Sequence, residues 1–450
     1  MRTHLRPTRS HLLALSATVL LAGCGATASP RSLSVAPATL APAVVSVALA
    51  ADAGSPATAV GAAARAEVAR FIARLETDPT DTEALLGLGF ASYQLARETA
   101  DPAEYARAEA AFGQVLAAEP ADPDALIGMG TVALARHAFA AALSYGEQAR
   151  ALAPRSARTW GVIADALVEL GRYPEAVEAV QTMVDLRPDL GSYARVSYIR
   201  ELHGRLDGAI EAMEAAVAAG GPAVENTEYL RVVLGNLWFL GGDLDRAAAA
   251  YAASLERSPG YVFALAGMAR VDAARGDLSA AIAGWQAAAD QVPLPELLIG
   301  LGETQEAAGL TAESASTYQL VRDISALFAA NGVQTDLELA LFEADHGDPA
   351  RAVELGRAAW AETPNVKAAD ALAWALYAAG ELDEARSMAE AALRLGSLEP
   401  SYTYHAGMIA AAQGDKEAAR AWLGASLASN AAWSPLHAPR AAVALAEVSR

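Results

Sequence analysis

The chain has 450 residues and a formal net charge of −20, with 54% hydrophobic but only 6% aromatic residues. This composition favours helix over sheet. The negative charge argues against nucleic acid or an anionic lipid surface as a partner; it suits a basic partner, or simply high solubility. The single cysteine, Cys24, excludes an intrachain disulfide and a cysteine-rich zinc site.

The first 23 residues have the pattern of a secretory signal peptide. Three arginines and no acidic residue accompany a short apolar run from Leu12 to Leu21, and the small residues Ala22 and Gly23 follow it. The run is about half the length that a bilayer-spanning helix needs. We therefore predict that residues 1–23 are a signal peptide and not a membrane span.

This segment ends in Leu21-Ala22-Gly23-Cys24. The tetrad resembles the lipobox of bacterial lipoproteins, which implies a diacylglycerol on the Cys24 thiol and cleavage before that residue. The implied protein is anchored by lipid outside the cytoplasm, on the outer face of the membrane in a one-membrane cell. Where two membranes exist, Gly25 in place of Asp favours the outer membrane. The alternative is an ordinary secretory cleavage site that happens to end in cysteine.

Residues 24–64 differ in composition from everything that follows. They are mostly Ala, Pro, Ser, Thr and Val, and the prolines at positions 30, 37, 42 and 56 would break any helix. We predict a disordered tether with a root-mean-square reach of about 35 Å. Such a tether would let the body of the protein act away from a lipid surface.

Two markers recur at intervals of about 34 residues in the rest of the chain. One is a proline, at positions 120, 154, 188 and 222 and again at 259 and 293. The other is a glycine that is followed five positions later by a small residue. These glycines are Gly171, Gly204, Gly242, Gly276, Gly309, Gly347, Gly380 and Gly414. Two independent markers at one period predict a repeat protein.

The residues around the glycine predict a helical hairpin. Glycine ends a helix because it adopts the left-handed conformation at low cost, and aspartates such as Asp243 and Asp277 suit the N-cap of the next helix. Pro174 and Pro349 suit its first turn. The small residue permits close approach of the two helices, and the recurring proline ends the second helix.

Trp160, Ala176 and Pro188, the Leu234-Gly235 pair and the aromatic Tyr251 occupy characteristic positions of this hairpin. The pattern resembles the tetratricopeptide repeat over about residues 66–435. The resemblance implies an all-α, right-handed superhelical solenoid of about ten hairpins. We assign the solenoid to residues 65–435, with a lone helix at Arg65–Leu75, and a capping helix to residues 436–450, beginning after Pro439.

The pattern is interrupted at three places. Residues 97–103 carry an insertion, His137 stands where the glycine between the two helices is expected, and residues 324–335 extend a helix or add a loop.

No catalytic motif is present, and we predict a protein that is not an enzyme and has no metal and no cofactor. The histidines after the signal segment lack metal-ligand spacing. Asp345-His346 comes nearest, but adjacent positions on one helix point to different faces. A bridge between distant hairpins is left open by this argument.

The resemblance implies that the first helix of each hairpin lines an inner groove. By that register the candidate groove residues are Asp165, Tyr198, Glu201, Asn236, Phe239, Arg270, Glu303, Glu306, Asp370, Trp374, Tyr377 and Tyr404. The mixture of aromatic and polar side chains suits peptide capture, although aromatic residues at helical spacing are commonly core residues. Asn236 and Arg270 match two elements of a known carboxylate clamp, but the lysines Lys367 and Lys416 do not complete it.

Two functions follow from these predictions. The first is a membrane-anchored, extracytoplasmic scaffold or adaptor that binds an envelope protein or peptide, of basic character if charge selects it. The second is a glycan- or small-molecule-binding lipoprotein that assists transport or cell-wall processes, since aromatic rings stack on sugars as well as on peptides.

Overall fold

The computed structural model describes residues 61–220, 224–330, 333 and 336–450. Cys24, the predicted signal peptide and nearly all of the predicted tether lie outside these residues. Within the described ranges the chain forms 22 α-helices, one short 3₁₀ turn at Leu393–Leu395 and no strand. None of the described helices combines the length and the apolar character that crossing a bilayer would require.

The helices pair in chain order into ten hairpins, flanked by one single helix at each end. The bounds are α1 Ala62–Thr77, α2 Thr82–Thr99, α3 Ala103–Ala118, α4 Pro123–Ala135, α5 Phe139–Leu152, α6 Ala157–Glu169, α7 Tyr173–Leu186, α8 Leu190–Leu202, α9 Leu206–Ala219, α10 Val224–Leu240, α11 Leu244–Arg257, α12 Val262–Ala274, α13 Leu278–Ala289, α14 Pro295–Ala307, α15 Thr311–Ala330, α16 Asp336–His346, α17 Pro349–Glu362, α18 Val366–Ala378, α19 Leu382–Ala392, α20 Pro400–Ala412, α21 Lys416–Ser429 and α22 His437–Val448. Hairpin 1 is α2–α3 and hairpin 10 is α20–α21. The all-α solenoid of about ten hairpins is confirmed.

The helix-ending signals act as the sequence predicts in most hairpins. Gly171, Gly242 and Gly380 adopt positive φ between the two helices of their hairpins. Asp277 caps α13 by accepting a hydrogen bond from Ala280 N at 3.0 Å. His137 adopts φ 60°, the conformation of the glycine that it replaces.

Gly347 is an exception, because it is absent from the residues with positive φ. A Cβ at this position would lie 1.6 Å from Glu343 Oε2, so this site needs glycine for space and not for backbone conformation. Glu343 Oε2 accepts the Asp348 N–H at 3.1 Å, and Arg322 holds the same carboxylate. The carboxylate thus fills the place that a side chain would take.

The boundaries of two segments differ from expectation. Helix α22 begins at His437, so Pro439 lies inside its first turn and not before it. Helix α15 continues to Ala330, which shows that part of the extra length at residues 324–335 prolongs the helix. A proline within the first turn is tolerated because its missing N–H would have no partner there.

Hairpins pack through aromatic rings that enter spaces left by glycines. Tyr251 on α11 is fully buried, and a Cβ at Gly235 or Gly267 would lie 2.4 or 2.5 Å from its ring. Phe112 is held in the same way between Gly89 and Gly128. The glycine of the Leu-Gly pair therefore admits the ring of the second helix between two consecutive first helices.

The solenoid winds tightly enough for distant hairpins to touch. Asn365 Nδ2 donates to Glu169 O at 2.9 Å, and the amide of Val366 donates to the hydroxyl of Tyr173 at 2.9 Å. Just after hairpin 10, Asn430 Nδ2 donates to Phe239 O of hairpin 5 at 2.6 Å. These pairs lie 191 to 196 positions apart in sequence. Hairpins 9 and 10 consequently stack on hairpins 3 to 5, and the first helices face one another across a narrow interior.

Candidate functional site

The predicted groove residue Asp165 faces the interior but is already paired. Its side chain is buried, and Arg195 Nε donates to Asp165 Oδ1 at 2.7 Å while Arg195 Nη1 donates to Gly191 O at 3.0 Å. Burial raises the pKa of the Asp165 carboxyl and Arg195 opposes that rise. An ion pair of this kind between hairpins 3 and 4 fixes their packing and leaves little capacity for a ligand.

Tyr198 and Glu201 lie close to Lys367, which sequence reasoning did not place in the groove. Lys367 Nζ donates to Glu169 Oε1 at 3.2 Å and lies 5.1 Å from the centroid of the Tyr198 ring. Burial opposes the charge of Lys367, but Glu169 outweighs it, so the pKa of the ammonium is raised. Lys367 was missed because its role depends on the contact between hairpins 3 and 9, which no local pattern encodes.

Four carboxylates form no ion pair with any described residue: the partly buried Glu201, Glu338 and Glu399, and the exposed Glu296. Partial burial raises the pKa of Glu201, Glu338 and Glu399, and it brings those of Glu201 and Glu338 to about 7. Glu399 adds to the rise at Glu201, and Glu296 adds to the rise at Glu338. Glu338 Oε2 is buried without a hydrogen-bond partner. These four side chains, which we call the acidic interior, would be stabilised by an added cation.

Asn236, Phe239 and Arg270 come together as the sequence register predicts, but they satisfy one another. Asn236 Oδ1 accepts from the Tyr251 hydroxyl at 2.7 Å and from Arg270 Nη1 at 3.4 Å. The Arg270 guanidinium lies 4.6 Å from the centroid of the buried Phe239 ring. The two elements that match a carboxylate clamp therefore contact each other.

Aromatic residues of hairpins 9 and 10 form one stack. The Trp374 ring lies parallel to Tyr377 at 4.7 Å and 12°, and parallel to His405 at 4.2 Å and 17°. His405 Nδ1 lies 2.9 Å from Asp370 Oδ1, and both side chains are buried. The Tyr377 and His405 rings are both parallel to the Trp374 ring and do not contact each other, so they lie on its opposite faces. Neither face of Trp374 is therefore open to a ligand.

A mixed cluster of acids and histidines adjoins this stack. Glu303 on α14 and Asp345 and His346 at the end of α16 each offer a side-chain oxygen or nitrogen within 4.8 Å of the others. His437, the first residue of α22, brings Nε2 to 3.6 Å from Asp345 Oδ2 and 3.9 Å from Glu303 Oε1. We call these four residues the α14–α16–α22 cluster. Burial lowers the pKa of the His437 imidazole, which favours its neutral form.

Sequence analysis singled out Glu303 and noted Asp345-His346 without assigning it a site. A single helix cannot bring these side chains together. Three helices bring them together here, because the end of α16 lies between α14 and α22. Tyr404 packs beside the cluster, 5.3 Å from the His437 ring, and Glu306 Oε2 lies 3.5 Å from His346 Nδ1. No sequence pattern predicted a role for His437, because it comes close to Asp345 and Glu303 only when α22 packs against the repeats.

A separate shallow cavity of ≈ 740 Å³ lies between α9, α10 and α11. Its walls include Ile210, Leu234 and Trp238, and the Arg246 guanidinium lies 4.5 Å from the Trp238 ring centroid. None of the candidate groove residues lines it. The second helices α9 and α11 contribute most of its wall, so it is distinct from the interior.

Comparison with known protein families shows which repeat the hairpins resemble. Residues 133–197, 203–262 and 371–433 match family models described as tetratricopeptide repeat. The hairpins in these three segments are similar to tetratricopeptide repeats. These segments overlap hairpins 2 to 5 and hairpins 9 and 10, where the tyrosine–glycine packing and the contacts between distant hairpins are found. Tetratricopeptide repeats imply a scaffold for protein–protein interaction, a class that is generally non-enzymatic.

Several solved structures are similar to parts of the chain. A thermophilic tetratricopeptide repeat protein from Thermus thermophilus shares 24% identity, covers 46% of this chain and 98% of its own, and has a TM-score of 0.36. One from Parabacteroides merdae shares 18% identity, with 56% and 96% covered and a TM-score of 0.35. Human IFIT1, solved as a dimer with PPP-AAAA, shares 15%, with 77% and 72% covered and a TM-score of 0.38. No curated protein matches the sequence.

Proposed function

We propose that this chain is a lipid-anchored, extracytoplasmic scaffold that binds a basic peptide segment of an envelope protein along its inner face. The observation that carries the proposal is the acidic interior. Glu201, Glu338 and Glu399 are partly buried and Glu296 is exposed, and none of the four lies within ion-pair distance of a described cation. Lys367 acts on Glu201 and Glu338, and Arg270 acts on Glu399, only from a greater distance. Unpaired carboxylates in such surroundings are costly, and a lysine or arginine side chain of a ligand would offset that cost.

The arrangement of these carboxylates suits an extended segment. Glu201 belongs to hairpin 4 and Glu399 to the start of hairpin 10, whereas Glu296 and Glu338 begin the first helices of hairpins 7 and 8. The charges thus come in two pairs on different hairpins. A peptide with two separated basic residues would meet both pairs, and the partly exposed Tyr402 near Lys367 adds aromatic contact area.

The anchor is the second part of the proposal. It rests on the Leu21-Ala22-Gly23-Cys24 tetrad, which resembles a lipobox, and on the residues 24–64 that separate it from the first repeat. A flexible segment of that length would let the interior reach partners within tens of Å of the membrane. A Cys24→Ser variant is expected to lose incorporation of a labelled fatty acid and to leave the membrane fraction.

A direct binding measurement tests the inner face. The full chain is titrated with fluorescent peptides that carry two lysines, two glutamates or neither, at low and moderate salt. We expect only the basic peptide to bind, and Glu201→Gln with Glu338→Gln to weaken it by at least tenfold. The matched control is Glu256→Gln, an exposed carboxylate on the second helix α11. Equal binding of all peptides, or equal loss in the control, would exclude the acidic interior as the binding surface.

The glycan alternative has less support from the geometry. Sugar stacking requires an exposed ring face, and both faces of Trp374 are covered by Tyr377 and His405. Tyr404 is also buried among Trp374, Trp433 and His437. The aromatic residues that suggested sugar binding are therefore packed against one another.

A further inference from the structure

We propose that the α14–α16–α22 cluster binds one divalent transition-metal ion, with Zn²⁺ as the best match. The proposed ligands are Glu303, Asp345, His346 and His437. Two imidazole nitrogens with two carboxylate oxygens form a donor set that suits Zn²⁺ and its neighbours, whereas Mg²⁺ and Ca²⁺ prefer oxygen alone. The site is independent of the peptide-binding proposal, because it lies where three helices meet and not among the four unpaired carboxylates.

The first argument is the spacing of the donor atoms. His346 Nε2 lies 3.5 Å from Glu303 Oε1, and His437 Nε2 lies 3.6 Å from Asp345 Oδ2 and 3.9 Å from Glu303 Oε1. Bonds of 2.0–2.2 Å to a tetrahedral ion place neighbouring donors about 3.3–3.6 Å apart. Small rotations of the side chains would therefore close the site around an ion without moving the helices.

The second argument is that the donors face one another without bonding. His346 Nε2 is buried and makes no hydrogen bond, and only 4% of this side chain is exposed. Buried polar atoms are nearly always hydrogen-bonded, so an unpartnered nitrogen directed at a carboxylate needs an explanation. The distances of 3.5–3.9 Å are too long for good hydrogen bonds between these groups. An ion between them would satisfy every donor atom at once.

The third argument is charge. Glu303, Glu306 and Asp345 bring three carboxylates into one region, where Arg440 lies 3.5 Å from Glu306 Oε1 and Arg322 Nη2 donates to His346 O at 3.2 Å. The side chains of Glu303 and Asp345 are only 19% and 13% exposed. Arg322 is itself paired with Glu343, so the carboxylates of this region outnumber its guanidinium groups, and a divalent ion would reduce that excess of negative charge.

Surrounding residues orient two of the four donors, Asp345 and His346, whereas His437 Nδ1 is buried without a hydrogen-bond partner. Trp374 Nε1 donates to Asp345 Oδ1 at 3.0 Å, which leaves Oδ2 directed at His437. Glu306 Oε2 lies 3.5 Å from His346 Nδ1 and accepts from the Tyr318 hydroxyl at 2.9 Å. If binding of the ion shortened the distance between Glu306 and His346, Glu306 would accept the Nδ1–H and so select the tautomer in which Nε2 is free to bind metal. The Tyr318 ring, stacked on His346 at 4.2 Å, holds the imidazole plane.

An ion at this position would join hairpin 7, hairpin 8 and the last helix. Glu303 is on α14, Asp345 and His346 are on α16, and His437 begins α22. Helix α22 packs against α20 and α21, so a metal that fixes its first residue to hairpins 7 and 8 would reduce its fraying. We therefore assign the ion a structural role at the C-terminal end of the repeat array.

Metal titration of the full chain after chelator treatment tests the proposal, with Zn²⁺ measured by calorimetry and Co²⁺ by its visible absorption. We expect one ion per chain, the absorption of a four-coordinate Co²⁺ site, and slower hydrogen exchange in α22 when Zn²⁺ is present. His346→Gln and His437→Gln are expected to weaken binding at least tenfold. His203→Gln is the matched control, because His203 does not belong to the cluster. Its Nδ1 lies 2.7 Å from Ile199 O at the end of α8.

Each outcome decides the proposal. Failure of the chain to retain an ion, or equal affinity in the His203→Gln and His346→Gln variants, would overturn it. Were the histidine variants to misfold, Glu303→Gln and the chelated wild-type chain provide the second measurement. A melting temperature that rises with Zn²⁺ in the wild type but not in Glu303→Gln supports the site, and an equal rise in both overturns it. Binding of basic peptides is measured separately, so its absence would leave this result unaffected.

Discussion

The indole nitrogen of Trp374 donates a hydrogen bond of 3.0 Å to Asp345 Oδ1, and this bond joins hairpin 9 to hairpin 8. Trp374 also forms the centre of the Tyr377–Trp374–His405 stack. One residue thus connects the aromatic stack with the α14–α16–α22 cluster. Removing its N–H while keeping an aromatic ring separates these two roles.

Trp374→Phe is expected to lower the free energy of unfolding by about 2–4 kcal/mol, since it leaves Asp345 without its donor and removes part of a buried ring. It should also weaken Zn²⁺ binding by about tenfold or more, because the orientation of Asp345 is lost. Urea unfolding and metal titration measure the two effects. Trp422→Phe serves as control, because Trp422 is 37% exposed, and an equal loss there would contradict the assignment.

The fit of Tyr251 between two glycines predicts opposite effects for the same substitution at different sites. Gly235→Ala would place a Cβ 2.4 Å from the Tyr251 ring, and we expect it to destabilise the chain by about 1–3 kcal/mol. Gly113→Ala, also within a helix, meets no atom within 4 Å and should stabilise by about 0.5–1 kcal/mol. Thermal unfolding of both variants checks the signs, and destabilisation by Gly113→Ala would refute the packing argument.

The fold was predictable because its signals are local and repeated. Gly171, Asp277 and Pro174 each act within one hairpin, and the same arrangement recurs often enough to be recognised. Even His137 could be read as a glycine substitute from its position, and its φ of 60° bears this out.

The interior was predictable only in part, because it depends on contacts between hairpins. The register placed Asp165 and Trp374 on inner helices, but it did not reveal that Arg195 neutralises Asp165 or that two rings cover Trp374. Lys367 and His437 were missed for a related reason. Each gains its neighbours from a segment more than 90 positions away, through the pitch of the superhelix and the docking of its last helix.

The contact between hairpins 3 and 9 can be broken by changing one atom. Asn365 Nδ2 donates to Glu169 O at 2.9 Å and to Glu169 Oε2 at 3.2 Å, while its Oδ1 caps α18 by accepting from Ala368 N at 2.8 Å. Asn365→Asp keeps the cap but replaces the donor with a negative charge beside Glu169. We expect the stacked turns to separate locally, with a larger radius of gyration in X-ray scattering and unchanged helix content.

The matching control for that variant is Asp277→Asn, which alters an N-cap at the start of α13. It should change stability by less than about 1 kcal/mol and leave the radius of gyration unaltered. An unchanged radius in Asn365→Asp would mean that the turns are held together by other contacts, such as that of Asn430 with Phe239 O.

The raised pKa values of the acidic interior predict an unusual dependence of stability on pH. A carboxyl whose pKa rises from 4.5 unfolded to about 7 folded binds a proton more tightly in the native state. Its contribution to stability is therefore complete below pH 4.5 and is lost as the pH rises through 7. Glutamine resembles the protonated carboxyl at every pH, so the difference between wild type and variant isolates this contribution.

Glu201→Gln and Glu338→Gln are each expected to melt near the wild-type temperature at pH 4. At pH 8 each should be more stable than the wild type, by on the order of 1–3 kcal/mol. The same variants should bind a basic peptide more weakly at pH 8, so stability and binding change in opposite directions. Glu256→Gln, at an exposed position, should alter neither quantity. The opposite outcome would be a wild type that is more stable than both variants at pH 8. The two carboxylates would then be stabilised in the folded chain by partners that the interior does not show. They could not be the charges that attract a basic ligand.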